Sequence, residues 1–112
     1  MRVAIHQMNS GIDMQHNVEM LISGIEQARE GGAVAYFAPE MSLLLDRDRA
    51  RAKTAITTEA ESSALQLIGA AAQRAGIWVH IGSLPVLSEQ DPGRLCNRSI
   101  IFDSSGQVQA RY

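Results

Sequence analysis

Apolar and polar positions along the chain fall into two alternating regimes, one of period two and one of helical period. Val3 and Ile5 alternate with Ala4 and His6, which predicts a short, largely buried opening strand. Asn9-Ser10-Gly11 breaks it, and Asp13 or Asn17 can cap the following helix by accepting from first-turn amides. Val18, Leu21, Ile22, Ile25 and Ala28 then form one apolar stripe at helical spacing. Gly31-Gly32 stops that helix by supplying a positive φ. Ala33 to Phe37 is too short for an independent helix and reads as a second buried strand. Pro39 has no N–H for a sheet ladder, so the strand ends near Ala38 and leaves Glu40 at its C-terminal tip.

Leu43-Leu44-Leu45 followed by Asp46-Arg47-Asp48-Arg49 reads as a loop leading into polar surface with some helical character. Thr58 and Glu61 have capping-box spacing, and Leu65, Ile68, Ala72 and Ala75 stripe a second helix that Gly76 stops. Ile77 to Ile81 is a third buried strand, ending at Gly82-Ser83. Ser88 to Arg94 is a polar loop turning at Asp91-Pro92-Gly93. Arg98 to Asp103 and Gln107 to Tyr112 form a closing hairpin about Ser104-Ser105-Gly106. In the last strand Val108, Ala110 and Tyr112 alternate with Gln107, Gln109 and Arg111, so one face is wet or meets a partner. The order strand–helix–strand–helix–strand–hairpin is that of an α/β fold with a mixed sheet.

Composition narrows the class. The 112 residues make one domain or part of a larger one, and 46% hydrophobic against 20% charged residues excludes a disordered chain. A net charge of −2, with no basic face, argues against a nucleic-acid or anionic-membrane partner. No apolar run approaches the roughly 20 residues of a membrane span, and the start shows no signal-like stretch, so the expected location is cytoplasmic. The single cysteine, Cys96, rules out a disulfide framework or a multi-cysteine zinc site.

Most familiar catalytic motifs are missing. None of the nine glycines forms a Gly-x-Gly, and there is no phosphate-binding loop, Gly-x-Ser-x-Gly elbow or His-Glu-x-x-His. His6, His16 and His80 are far apart and read as structural or surface side chains. Glu40 is the strongest candidate, because Tyr36-Phe37-Ala38-Pro39-Glu40-Met41 puts a carboxylate where open α/β sheets place their ligand crevices. An apolar surround there would suit it to proton transfer near neutral pH.

An ordered set of short matches spans the chain: Ala4 and Gln7, Asp13 and Asn17, Ala28 with Gly32-Ala33, Pro39-Glu40-Met41-Ser42, Gly82-Ser83, Asn97-Arg98-Ser99, Gly106 and Tyr112. In this order and spacing the chain resembles the N-terminal part of the carbon–nitrogen hydrolase family, the nitrilase superfamily. The resemblance implies a four-layer α-β-β-α sandwich, of which residues 1–112 would form the N-terminal portion of a single domain. It also implies hydrolysis of non-peptide carbon–nitrogen bonds in small amides or nitriles by a cysteine nucleophile, a glutamate base and a lysine, without metal or organic cofactor. Homo-oligomers are implied as well. By its place in the Pro-Glu motif, Glu40 corresponds to the general base.

The family lysine and nucleophilic cysteine belong beyond Tyr112 and are not present in this chain, so the 112 residues alone are expected to be inactive. Cys96 lacks the glycine-rich elbow of the family nucleophile, and Lys53 closes a solvated charged run, so neither is taken as a substitute. The Pro39–Ser42 and Asn97–Ser99 runs resemble amidase branches acting on small ω-amides more than nitrile-specific ones. Two rivals remain at this stage: a non-catalytic binding or oligomerisation module built on the same half-fold, and an unrelated flavodoxin-like α/β domain.

Overall fold

The computed structural model describes residues 1–112. Its elements run β1 (Val3–Ile5), α1 (Met14–Glu30), β2 (Ala35–Phe37), α2 (Arg49–Ala55), α3 (Ser63–Ala75), β3 (Trp78–His80), β4 (Leu84–Leu87), β5 (Leu95–Arg98), β6 (Ile100–Phe102) and β7 (Val108–Arg111). Five strands form one sheet in the order β1-β2-β3-β6-β7, while β4 and β5 form a separate two-stranded ribbon. β1, β2 and β3 are parallel, and β6 and β7 add antiparallel, so the sheet is mixed.

The helices begin and end for identifiable reasons. Asp13 caps α1, accepting from the His16 amide at 3.3 Å. Asn17 does not cap; it is buried within the helix, where its side chain bonds both backbone groups of Gly11 and donates to the Leu43 carbonyl at 3.0 Å. Gly32, at φ +81°, turns the chain out of α1. α3 is capped by Ser62, whose hydroxyl accepts from Leu65 N, and not by Thr58. The Thr58–Glu61 spacing instead closes the preceding turn, with Glu61 N donating to Thr58 Oγ1 at 3.3 Å. Gly76, left-handed at φ +67°, ends α3.

Strand register separates the two faces of the sheet. Ala4, Tyr36, Val79 and Phe102 stand in one row. They meet Val18, Leu21 and Ile25 of α1 and Leu65, Ile68 and Ala72 of α3 in a single core. Each large aliphatic side chain so buried contributes about 1.5–3 kcal/mol. The opposite rows, Val3-Ala35-Trp78 and Ile5-Phe37-His80-Ile101, face away from both helices. The expectation of a largely buried opening strand therefore fails on that face, where Ile5 is 78% and Val3 44% exposed. Phe37 and Trp78 are exposed beside them.

The ribbon is the larger departure from the sequence pattern, in which Arg98 to Asp103 form one strand and residues 84–87 carry no strand signal. The chain changes partners at Ser99, which exchanges backbone bonds with Tyr112. Residues before it pair with β4, and residues after it pair with β3 and β7. Pro85 is compatible with β4 because this two-stranded ribbon leaves strand edges where a missing N–H goes unneeded. Glu59 ties the ribbon to the main sheet, accepting from Arg98 of β5 at 3.1 Å and Arg111 of β7 at 3.0 Å.

At the sheet's C-terminal edge the backbone of Pro39 crosses over Gly82. A Cβ on Gly82 would lie 1.9 Å from the Pro39 carbonyl oxygen, and Gly82 also has φ +73°. Gly82→Ala should therefore lose more than the roughly 1–3 kcal/mol of left-handed strain. Gly76→Ala, at φ +67° with nothing within 4 Å of the new methyl, should lose only that strain. Urea midpoints of the two variants provide the comparison; equal losses would show that the Pro39 crossing relaxes freely.

Asp103 organises the β6–β7 turn, accepting from the Ser105 hydroxyl and amide, Gln107 N and Gln109 Nε2. Those donors, the Ser105 hydroxyl foremost, hold its carboxyl down to about 2. The folded value lies below the unfolded value of roughly 3.9, so the ionised form stabilises the fold above about pH 4. That contribution is lost as pH falls through about 2. Asp103→Asn should flatten the acid limb of stability over this window, read as urea midpoint against pH; an unchanged limb would mean that other carboxylates govern it.

Candidate functional site

The segment after β2 is shaped residue by residue. Ala38 N donates to the His80 carbonyl at 2.9 Å, extending the β2–β3 pairing one step. Pro39 then ends the ladder and its carbonyl passes over Gly82, where only hydrogen fits. Past the crossing, Met41 N donates to Ser83 Oγ at 2.9 Å and Ser42 N to the Ser83 carbonyl at 3.0 Å. The Ser42 hydroxyl donates to the Ile81 carbonyl at 2.5 Å. Ser42 and Ser83 are both buried, so these bonds form out of water, where leaving them unmade would be costly. Met41 adopts φ +54°, the only non-glycine residue with positive φ. Strain of this kind persists only where surrounding contacts over-determine the backbone.

Glu40 sits at the apex of this turn, at the C-terminal tip of β2 as the sequence predicts. Its side chain is exposed, and it does not have an apolar surround. It meets one polar partner: Asn97 Nδ2 donates to Glu40 Oε1 at 3.1 Å. Asn97 comes from β5, directly opposite Pro85 of β4. Beside the turn lies a concavity of about 540 Å³ lined by the apolar Met41, Leu44, Ile56, Pro85 and Leu95 and by the cationic Arg49 and Lys53. Asp46 also lines it, fixed by two 2.7 Å bonds from Arg51 that hold its carboxyl down to about 2.

The other sequence candidates do not join Glu40. Cys96 is half-buried, paired with Val86 and packed against the core. Strand alternation points it to the opposite face of the ribbon from Asn97. Lys53 is exposed on α2 and makes no hydrogen bond to Glu40. The histidines are dispersed. His6 Nδ1 pairs with the Tyr36 hydroxyl at 2.5 Å beneath α1, and burial pushes that phenol above its ordinary value. His80 stacks on Phe37 with its Nδ1 accepting from Gly82 N, and His16 is exposed.

Asn97 and the Gly82–Ser83–Ser42 lock are the parts of the site that residue-level reading does not find. Asn97 is 57 positions from Glu40 and lies in a ribbon that the hydrophobic pattern conceals. Gly82 and Ser83 read as a strand end, with nothing in their own neighbourhood to announce a backbone crossing.

Comparison with known proteins is consistent along the whole chain. Its sequence is 29% identical over 110 residues to the deaminated glutathione amidase of Yersinia enterocolitica, a match covering 98% of this chain and 38% of that protein. The chain thus spans well under half the length of that curated relative. Among solved structures, the NitFhit protein of C. elegans superposes with a TM-score of 0.85 at 24% identity, covering 98% of this chain and 26% of that one. A mutant of the Nesterenkonia AN1 amidase from the nitrilase superfamily gives 0.81 at 25% identity, covering 100% and 42%. Another structure of that amidase shows the result of Michael addition of acrylamide at its active site cysteine, with a TM-score of 0.82 at 24% identity. The fold is that of nitrilase-like proteins, as these superpositions show. The carbon-nitrogen hydrolase family model matches residues 2–112, and the chain belongs to that family.

Proposed function

We propose that residues 1–112 are the N-terminal portion of an amidase-type carbon–nitrogen hydrolase domain and that Glu40 is its general base. The observation that carries this reading is the placement of Glu40: an exposed carboxylate just past the C-terminal end of the interior strand β2, on a turn locked by Gly82, Ser83 and Ser42. The remaining chemistry follows from the family. A cysteine and a lysine, supplied by chain outside these residues, complete the set. The carboxylate takes the thiol proton, and the thiolate attacks the amide carbon. The lysine stabilises the oxyanion of the tetrahedral intermediate. The carbon–nitrogen bond breaks with release of ammonia or an amine, leaving a thioester. Water, deprotonated by the same carboxylate, then attacks the thioester and releases the acid and the thiol. Small amides are the substrate class, with nitriles the alternative; the setting is a cytoplasmic homo-oligomer.

A second reading, a non-catalytic assembly module, draws on the exposed apolar face that carries Ile5, Phe37 and Trp78. Activity separates the two. Residues 1–112 alone should show no turnover of small amides, because Glu40 has no positioned thiol to deprotonate. In a complete domain carrying these residues, Glu40→Gln should abolish ammonia release with the circular dichroism spectrum unchanged. General-base effects are on the order of 10²- to 10⁴-fold, and the loss should reach the upper end because one carboxylate serves both half-reactions. Cys96→Ser should cost only a few-fold, on the order of a packing defect. Retention of more than about a tenth of the rate by Glu40→Gln, below even the usual general-base effect, would remove Glu40 from the mechanism. A dead Cys96→Ser variant would place the nucleophile inside this chain.

A further inference from the structure

We infer that Asn97 is a positioning residue for Glu40, holding one carboxylate oxygen so that the other, Oε2, receives the proton. The inference rests on the reading of Glu40 as a base and extends it to a side chain that reading leaves without a role. Asn97 Nδ2 donates to Glu40 Oε1 at 3.1 Å, and Oε2 has no partner within the chain. The orientation of the amide is dictated by chemistry: an ionised carboxylate only accepts, so Asn97 must present its NH2 and not its carbonyl.

Both ends of this bond stand on constrained backbone. On the glutamate side, Pro39 is pinned over Gly82 and Met41 is tied to Ser83. On the other side, Asn97 is registered against Pro85, Cys96 before it packs on the core, and Arg98 after it is paired to Glu59 at 3.1 Å. A glutamate at an exposed turn apex would otherwise sample many rotamers. A donor on a rigid strand selects one of them.

An amide suits this task better than a cation. Arg or Lys at position 97 would favour the ionised carboxylate by charge and make it a weaker base. Asn97 carries no charge and does not titrate near neutral pH. It can keep its bond to Oε1 while the proton arrives at and leaves Oε2, so the carboxylate need not turn over between the two half-reactions.

The test uses a complete domain carrying these residues, with steady-state hydrolysis of a small amide such as propionamide and thermal melting of each variant. Asn97→Ala should lower kcat about tenfold with KM within about twofold, the size expected for one hydrogen bond to a charged group. Asn97→Asp keeps the shape but faces Glu40 with a second carboxylate. It should fall further, about 100-fold or more, because two adjacent carboxylates disfavour the ionised base. A purely structural role predicts the reverse order, since Asp is the closer isostere. Asp equal to or better than Ala would overturn the inference, as would either variant losing activity only in step with its melting temperature. Full activity in both variants alongside a dead Glu40→Gln would refute the role of Asn97 alone. An active Glu40→Gln would refute the underlying reading.

Discussion

The passage of the Pro39 carbonyl over Gly82 is the constraint on which the site depends. Two segments leaving adjacent parallel strands, β2 and β3, must pass each other at the sheet edge, and they approach more closely than any side chain allows. Glycine at 82 makes the crossing sterically possible and supplies the left-handed conformation that turns the second segment away. Ser83 and Ser42 then convert proximity into registration, satisfying backbone groups that the crossing removes from both the ladder and the solvent. Glu40 is displayed at the sheet edge because the residues on both sides of it have no freedom to be elsewhere.

The helical side and the open side of the sheet obey different rules. Under α1 and α3 the side chains interdigitate in a conventional core, and the one buried aromatic hydroxyl, that of Tyr36, finds a partner in His6. That pairing exacts a local condition: a Cβ at position 24 would lie 2.7 Å from His6 Nδ1, so α1 carries glycine where it passes over the pair. Across the sheet, Ile5, Phe37 and Trp78 meet no such layer. The sheet is thus patterned for burial on both faces, the usual condition of parallel strands, while the 112 residues supply a cover for one. This agrees with a chain that spans 38% of its curated relative.

Much of this was legible from residues. The stripes of α1 and α3, the glycine stops at 32 and 76, the three parallel strands and the closing hairpin all follow from period and punctuation. Ser62 displaced Thr58 as the α3 cap because capping depends on which hydroxyl meets the first turn, and both residues have suitable chemistry. The β4–β5 ribbon was hidden for a different reason. Leu84-Pro85-Val86-Leu87 is uniformly apolar and contains a proline, so neither alternation nor propensity marks it as a strand. The break at Ser99 is set by what lies alongside, not by any turn residue. The position of Glu40 was readable because a strand followed by proline has one outcome; its contact with Asn97 was not, because it requires the concealed ribbon.

Exposure of Glu40 bears on how such a site is divided along a chain. Position and orientation of a carboxylate can be encoded locally, by backbone geometry and one neutral donor, and here they are. Exclusion of water cannot, since it requires walls on every side of the reacting atoms. The wall present is the concavity formed by Met41, Leu44, Ile56, Pro85 and Leu95, which adjoins the turn without enclosing the carboxylate. A carboxylate held in place by its own turn but left uncovered on its outer side stays solvated, as Glu40 is here. Preorganisation of geometry can therefore precede preorganisation of environment, and the two can be lost separately. A substitution in the Gly82–Ser83 lock would disturb the first, whereas one on the exposed apolar face of Ile5, Phe37 and Trp78 would leave the turn at Glu40 intact.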